Sequence, residues 1–384
     1  MSAQRIVEVW PLGVVDYAAG LAMQEQLVAR RRQGEVPDTL LLLEHPPVIT
    51  LGRAAEPEHI VAPKAVLERR GIAVYETGRG GDVTYHGWGQ LVGYPILDLN
   101  PDRRDIRRYM RDLEEVLIRT VAEYGIAAGR VAGLTGVWVA GERKMAALGV
   151  RISRWITSHG FALNVTTRLG DFDFIVPCGI TDKSVTSIAR ETRQTPALDD
   201  VAGHVARHFG GVFERAVVWR QVEQASVQVW LFRRQAAQRE YLVLRRTDAR
   251  GGFWQPVTGR VEPGETLASA ARREVLEETG QATEPVALGL AETSLMDATW
   301  FAPAAAGPVF NREHAFAAQV ETDAVQLQAD EHDACAWLPF EAALPRLYWG
   351  SHRRALRHLH HQDASGLADG FQNKYFSGVL HDNR

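Results

Sequence analysis

The segment Arg79-Gly80-Gly81-Asp82-Val83-Thr84-Tyr85-His86-Gly87-Trp88-Gly89-Gln90 interleaves glycines with an arginine, a threonine, a tyrosine, a histidine and a glutamine. Glycine leaves room where a backbone bends sharply or approaches a ligand closely. A plain loop between strands accounts for the glycines but not for the polar and aromatic side chains set among them. A dinucleotide-binding loop would open directly into a helix. Here residues 92–97 follow as an apolar run of strand character, and residues 72–76 precede the loop with the same character. Farther out, residues 7–10 and 39–44 read as strands. Residues 17–31 and 105–124 carry helical periodicity, the second behind Asn100-Pro101-Asp102. Strands in irregular pairs with few crossover helices predict an α+β architecture. A last helix over 198–209 is expected to end at Gly210-Gly211.

Two more segments of this half carry chemistry. In Gly141-Glu142-Arg143-Lys144-Met145-Ala146-Ala147-Leu148-Gly149-Val150, Gly141-Glu142 reads as a hairpin tip. Lys144 then opens a strand whose neighbours are small and apolar. In Pro177-Cys178-Gly179-Ile180 the cysteine lies between proline and glycine, on a turn rather than on a periodic apolar face. A thiolate becomes reactive when a nearby cation or helix N-terminus lowers its pKa, and a lysine ammonium supplies such a cation. A buried hydrophobe is the bland alternative for a cysteine, and a solvated surface charge for a lysine.

The second half holds Gly259-Arg-Val-Glu-Pro-Gly-Glu265, then Arg273, Glu274, Glu277, Glu278 and Gly280. A helical stretch opening at Glu265 sets Glu274, Glu277 and Glu278 at i, i+3 and i+4, on one face. Carboxylates in a last turn oppose the helix dipole and repel each other, by a few tenths of a kcal/mol for each effect, roughly. A hard divalent cation reverses both penalties.

The chain has 384 residues, 46% hydrophobic and 23% charged, enough for two cored domains. We expect a first domain over 1–220, a second over 221–365, and a polar, Gly-containing tail over 366–384. A formal net charge of −4 gives no electrostatic reason to expect nucleic acid or an anionic membrane as partner. No run of about 20 apolar residues is present to span a bilayer, and the N-terminus does not read as a signal peptide. Two cysteines far apart, Cys178 and Cys335, rule against a disulfide framework and fit a cytoplasmic setting.

The three N-terminal segments RGGDVTYHGWGQ (79–90), KMAALGVRISRWITSHGFALNV (144–165) and PCGITDKSVTS (177–187), in that order, resemble the lipoyl(octanoyl) transferase family over about residues 5–215. The resemblance implies the fold of biotin and lipoyl protein ligases, an α+β domain with a largely antiparallel sheet. It implies that Cys178 takes an octanoyl group from octanoyl-acyl carrier protein as a thioester. Lys144 would lower the thiol pKa and then help deprotonate a lysine of a lipoyl domain, in 2-oxoacid dehydrogenase or glycine cleavage complexes. Carried over by position, Arg79, Gly80, Gly81, Asp82, Val83, Thr84, Tyr85 and His86 would line the acyl pocket. Ala147, Leu148 and Gly149, with Gly160, Phe161 and Ala162, would complete it. No cofactor is expected in this half. The family usually has proline where Trp88 stands, which reshapes the loop rim. His86 and His159 are expected to position substrate or support the loop rather than act as bases. The rival on the same fold is an ATP-dependent lipoate or biotin ligase, which needs no nucleophilic cysteine.

Gly259, Glu265, Arg273, Glu274, Glu277, Glu278 and Gly280 fall on the fixed positions of the Nudix box, which the second half resembles. Gln281 stands where the box usually closes on an apolar residue. The resemblance implies an α/β/α sandwich that uses Mg²⁺ (or Mn²⁺) to drive water onto a small-molecule di- or triphosphate. The flanks, Phe253-Trp254-Gln255, Asn311-Arg312-Glu313-His314, Glu331-His332 and Trp337-Leu338, are similar to dihydroneopterin triphosphate diphosphatases. By that analogy Glu331 is a further metal-side carboxylate. A nucleoside triphosphate is the alternative substrate, and a non-catalytic nucleotide-sensing module the alternative role.

Overall fold

The computed structural model describes residues 5–100, 102–176, 183–220, 224–235, 238–297 and 308–361. The chain divides into two compact units, residues 1–221 and 222–384. None of the described helices is long and apolar enough to cross a membrane.

The first unit contains β1 (Ile6–Val14), α1 (Tyr17–Gln33), β2 (Asp38–Glu44), β3 (Val48–Leu51), α2 (Lys64–Arg69), β4 (Ala73–Glu76), β5 (Val83–His86), β6 (Gln90–Ile96) and α3 (Ile106–Ala122). It continues with β7 (Ala128–Val131), β8 (Leu134–Val139), β9 (Arg143–Ser153), β10 (Ile156–Asn164), β11 (Ser184–Val185), α4 (Ile188–Thr192), α5 (Leu198–Phe213) and β12 (Ala216–Trp219). The main sheet runs β12-β1-β2-β6-β10-β9-β8-β7. It is antiparallel from β2 to β7 and parallel where β1 meets β2 and β12, with β11 added parallel to β9. A small second sheet, β4-β3-β5, carries the start of the glycine-rich segment.

Burial follows from sequence pattern. Leu40 to Leu43 of β2 are all buried, because helices cover both faces. Leu40 and Leu42 join Tyr109, Leu113, Val116 and Leu117 of α3 and Val205 and Phe209 of α5 in one core, while α1 packs over β6 and β10. Asp105 caps α3 by accepting the Arg108 N–H at 3.0 Å. One expectation is corrected: α5 does not stop at Gly210-Gly211 but continues to Phe213. Phe213 stacks on Phe209 at 4.2 Å between ring centroids and is fully buried. Gly210 is small because a Cβ there would lie 2.6 Å from Val217. Tertiary packing overrides the local helix-breaking tendency.

The second unit contains β13 (Gln224–Gln235), β14 (Gln238–Arg246), β15 (Trp254–Gln255), β16 (Val257–Arg260), α6 (Leu267–Thr279), β17 (Val286–Asp297), β18 (Pro308–Gln319), β19 (His332–Pro339), α7 (Phe340–Ala343) and α8 (Gly350–His361). Strand β13 lies between β14 and β18, β18 pairs with β17, and β16 and β19 attach to β13 and β14. Alternation along β13 splits the core. Val227, Val229 and Leu231 pack with Ala270, Ala271 and Val275 of α6. Trp230 and Phe232 pack with Leu356 and Leu359 of α8. The result is a helix–sheet–helix sandwich. Helix α6 begins at Leu267 rather than at Glu265, because Thr266 and Ser269 form a reciprocal capping box.

Candidate active sites

In the first unit the sheet joins segments far apart in sequence. The Gly80 N–H donates to Val150 O at 2.9 Å, laying the Arg79–Gly81 loop on β9. Gly149 permits this approach, since a Cβ there would sit 2.9 Å from Gly80 O. Across the β9–β10 pair, Gly149 faces Gly160, Leu148 faces Phe161, and Ala147 faces Ala162. A Cβ at Gly160 would meet Gly93 O at 2.2 Å, and one at Gly93 the Phe161 ring at 2.1 Å. Buried Arg79 donates to Thr50 O at 2.6 Å and to Thr50 Oγ1 at 2.9 Å. Asp82 lies 2.5 Å from His59 Nδ1. Val83 and Tyr85 are in the core beside β3, Thr84 is half-buried, and the Tyr85 hydroxyl donates to Asp171 at 2.9 Å.

Behind this loop Tyr17, His45, His86, Tyr94 and His159 form a ring cluster, with neighbouring centroids 5.1–6.2 Å apart. Burial, then neighbouring His45, pushes His86 down to about 3. Burial, then Arg79, brings His159 to about 4. Both rings are neutral at neutral pH. His86 Nδ1 and Gln90 Oε1 are 2.7 Å apart. Gln90 Nε2 donates to Asn164 Oδ1 at 3.0 Å, and Asn164 Nδ2 donates to Thr186 O at 3.0 Å. Thr186 N in turn donates to Lys144 O at 2.9 Å, and Val185 is the strand partner of Lys144.

Lys144 itself is buried, its ammonium 4.8 Å from the Trp138 ring centroid. A cation held over an indole in a desolvated setting is a cation–π arrangement. Cys178 lies outside the described residues, as do Pro177 and Gly179 through Asp182. The chain on either side is anchored: Val176 N donates to His59 O at 2.8 Å and Ser184 N to Glu142 O at 3.2 Å. Tyr17, His45 and Trp138 carry no sequence signal for a site, and Asn164 and Thr186 lie within the quoted motifs without being singled out. They reach it only through strand register and side-chain hydrogen bonds.

In the second unit Arg273 is the hub of the box. It grips Glu265 through Nε at 3.1 Å and Nη2 at 3.0 Å, and donates to Glu274 at 2.7 Å, Glu277 at 3.0 Å and Arg260 O at 2.7 Å. This fastens the loop before α6 to the helix. A Cβ at Gly259 would overlap the Glu274 carboxyl, so that side chain would have to move to admit one. Gly280 ends the helix at φ +70°. Buried Gln281 donates from Nε2 to Ala324 O at 3.0 Å, while its Oε1 has no hydrogen-bond partner among the described residues.

The carboxylates divide. Glu277 is half exposed and turned to Arg273, whereas Glu278 is buried. Donor atoms of Glu278, Glu331 and His332 all lie within 4.8 Å of one another. Both ring nitrogens of buried His332 lack a hydrogen-bond partner among the described residues. Burial, then the Glu274 and Glu331 charges, raises the Glu278 carboxyl well above its ordinary range. Burial raises Glu274 to about 7. Two carboxylates and an imidazole suit a divalent ion. His332 was not singled out from sequence as a ligand, although it adjoins Glu331.

Residues 16–210 match the family described as "Lipoyl protein ligase A/B catalytic domain", and residues 222–359 match the "NUDIX domain". An octanoyltransferase of Myxococcus xanthus is 45% identical over 346 residues, covering 89% of this chain and 95% of its own length. That alignment is longer than either unit, so it takes in both. The chain belongs to the octanoyltransferase family. As an octanoyltransferase relative with an appended Nudix domain, it is a transferase joined to a hydrolase domain, on the ligase-like and Nudix folds expected from the sequence. Among solved structures, a bipartite lipoate protein ligase of Thermoplasma acidophilum is similar at 18% identity and TM-score 0.48, over 56% of this chain and 86% of its own. The E. coli dihydroneopterin triphosphate pyrophosphohydrolase is similar at 27% identity and TM-score 0.30, over 36% of this chain and 96% of its own.

Proposed function

We propose that residues 1–220 transfer octanoate from octanoyl-acyl carrier protein to a lysine of lipoyl domains through a thioester on Cys178. The observation that carries this reading is the convergence of Arg79–Gly81, Ala147–Gly149 and Gly160–Ala162 around the strand that holds Lys144. Val185, seven residues past Cys178, pairs with Lys144, so the cysteine's own segment returns to the lysine. The Cys178 thiolate attacks the donor thioester carbonyl and expels the carrier's thiolate, which takes a proton from the Lys144 ammonium and leaves Lys144 neutral. The acceptor amine then attacks the enzyme thioester, losing its proton to Lys144, and the cysteine departs as thiolate. Arg79 through His86, Ala147, Leu148, Gly149, Gly160, Phe161 and Ala162 enclose the acyl chain. Such a thiolate fits a reducing cytoplasm.

Residues 221–365 act as a Mg²⁺- or Mn²⁺-dependent diphosphohydrolase. Glu278, Glu331 and His332 would hold the ion, with Glu274 and Glu277 as the further carboxylates of the box. A bound ion activates water and stabilises charge on the phosphates. Dihydroneopterin triphosphate and nucleoside triphosphates are the two substrate classes to compare. The tail expected over 366–384 lies outside the described residues.

The test is direct. The full chain incubated with octanoyl-acyl carrier protein should accumulate an octanoyl-enzyme visible by intact mass, and Cys178→Ser should abolish both it and transfer. Octanoylation that absolutely requires ATP would overturn the reading in favour of a ligase.

A further inference from the structure

A cavity of about 390 Å³ opens on the first unit, lined by Pro47, Arg70, Ile72, Trp88, Gly89, Thr166, Arg168 and Asp171. None of these residues belongs to the acyl pocket described above. The lining joins the far end of the glycine-rich segment to the stretch that leads, via the 3₁₀ turn Leu169–Phe174, toward Cys178. In sequence, Trp88 follows the acyl-pocket segment by two residues, and Arg168 and Asp171 precede Cys178 by ten and seven.

The cleft is cationic. Arg70 is exposed and makes no ion pair among the described residues, and the Arg168 side chain is 71% exposed. Asp171 is the only acidic residue in the lining, and it is already engaged. It accepts the Tyr85 hydroxyl at 2.9 Å and lies 3.8 Å from Arg168. Two guanidiniums against one engaged carboxylate leave a net positive site. Guanidinium forks match the paired oxygens of a phosphate.

Trp88 supplies a platform at the rim. Its side chain is 44% exposed, yet its backbone is pinned. The next residue, Gly89, donates its N–H to half-buried Glu44. Gly89 O accepts from Val165 N at 3.1 Å, Thr166 N at 2.9 Å and Thr167 Oγ1 at 2.9 Å. Gly89 has φ +79° and no room for a Cβ, which would lie 2.4 Å from Thr166 Oγ1. A large exposed aromatic on so fixed a backbone is pre-organised for contact, with little ordering entropy left to lose.

We propose that this cleft binds the phosphodiester-bearing pantetheine arm of the acyl donor, with Arg70 and Arg168 on the phosphate and Trp88 along the arm. The inference rests on the transferase reading above. Charge decides between the two substrates. The donor thiol hangs on a phosphorylated arm, whereas the acceptor presents a lysine, which two arginines repel. Arg70, Arg168 and Trp88 thus determine donor recognition and do not touch the reacting atoms.

The experiment compares three octanoyl donors with the full chain: the acylated carrier protein, S-octanoyl-4′-phosphopantetheine, and S-octanoyl-pantetheine, which lacks the phosphate. In Arg70→Ala/Arg168→Ala, KM should rise tenfold or more for the two phosphorylated donors, with kcat little changed. KM for S-octanoyl-pantetheine should stay put, and its turnover shows that the variant is folded. Trp88→Ala should raise KM for all three donors, and Trp88→Phe should restore it. An equal loss with every donor in the arginine variant, or no loss at all, overturns the proposal. So does an effect confined to the intact carrier protein, which would make the cleft a protein-docking surface. An effect on the acceptor's KM alone would make it the lipoyl-domain site. If Cys178→Ser retained transfer, the transferase mechanism itself would fall, a result separate from all of these.

Discussion

Val185 and Lys144 are direct partners in a parallel strand pair, with the Thr186 N–H donating to the Lys144 carbonyl at 2.9 Å. A segment that begins just past Cys178 is thus stitched to the strand carrying the lysine. Lys144→Ala should lower octanoyl transfer by about 10²-fold or more, a size usual for loss of a proton-transfer group. The alkylation pKa of Cys178 should climb toward the ordinary thiol value near 8.5. Iodoacetamide rates measured against pH check this, and an unchanged profile would separate Lys144 from thiol activation.

Asn164 sits in the middle of the buried chain from His86 through Gln90 to Thr186 O. Asn164→Ala strips a donor from Thr186 O and an acceptor from Gln90. An unsatisfied buried group costs about 1–3 kcal/mol. Calorimetry of the full chain should show a lowered transition for the first unit, and transfer should fall more than Tm alone explains, because the strand beside Lys144 loosens.

Gly149→Ala places a methyl 2.9 Å from Gly80 O, a backbone atom that cannot swing aside. The Gly80–Val150 bond should lengthen or break, raising KM for the octanoyl donor while the lipoyl-domain KM changes less. Steady-state kinetics with each substrate varied in turn provide the check.

Burial raises Glu44 from 4.5 to about 7, against the partly opposing Gly89 N–H bond. Below pH 4.5 the folded and unfolded chains both hold the proton, so the group carries no ionisation cost. As pH rises toward 7 the unfolded chain ionises more readily, and stability is lost, about 3 kcal/mol in full. Glu44→Gln stays neutral and keeps an acceptor for Gly89. Relative to the parent it should gain stability between pH 5 and pH 8, read from melting curves at both.

In the second unit, Glu278→Gln should abolish phosphohydrolysis in a Mg²⁺-supplemented screen of nucleoside and pterin triphosphates, with octanoyl transfer intact. His332→Ala should weaken Mn²⁺ binding in calorimetric titration by tenfold or more, because it removes the one imidazole from the Glu278–Glu331–His332 set. Mn²⁺ affinity unchanged in His332→Ala would assign the ion to the carboxylates alone.

The division between sequence and tertiary structure is clear residue by residue. Local sequence alone determined the glycines of 78–90, the hairpin before Lys144, the helical spacing of Glu274, Glu277 and Glu278, and the two-unit plan. Each of these depends on steric freedom, periodicity or composition within a short window. It also determined that Gly259 and Gly280 would matter, but not why. Only the fold shows the Glu274 carboxyl filling the space over Gly259. Helix α5 ran through Gly210-Gly211 because Phe213 had a partner in Phe209, a contact that no local rule supplies. Tertiary structure likewise decided which glutamate turns inward, Glu278 rather than Glu277, and brought His332 to it from fifty-odd residues away. It set Asn164 and Gln90 between His86 and the strand beside Lys144. Hydrogen-bond partners far apart in the chain are selected by sheet register, and register is a property of the whole fold.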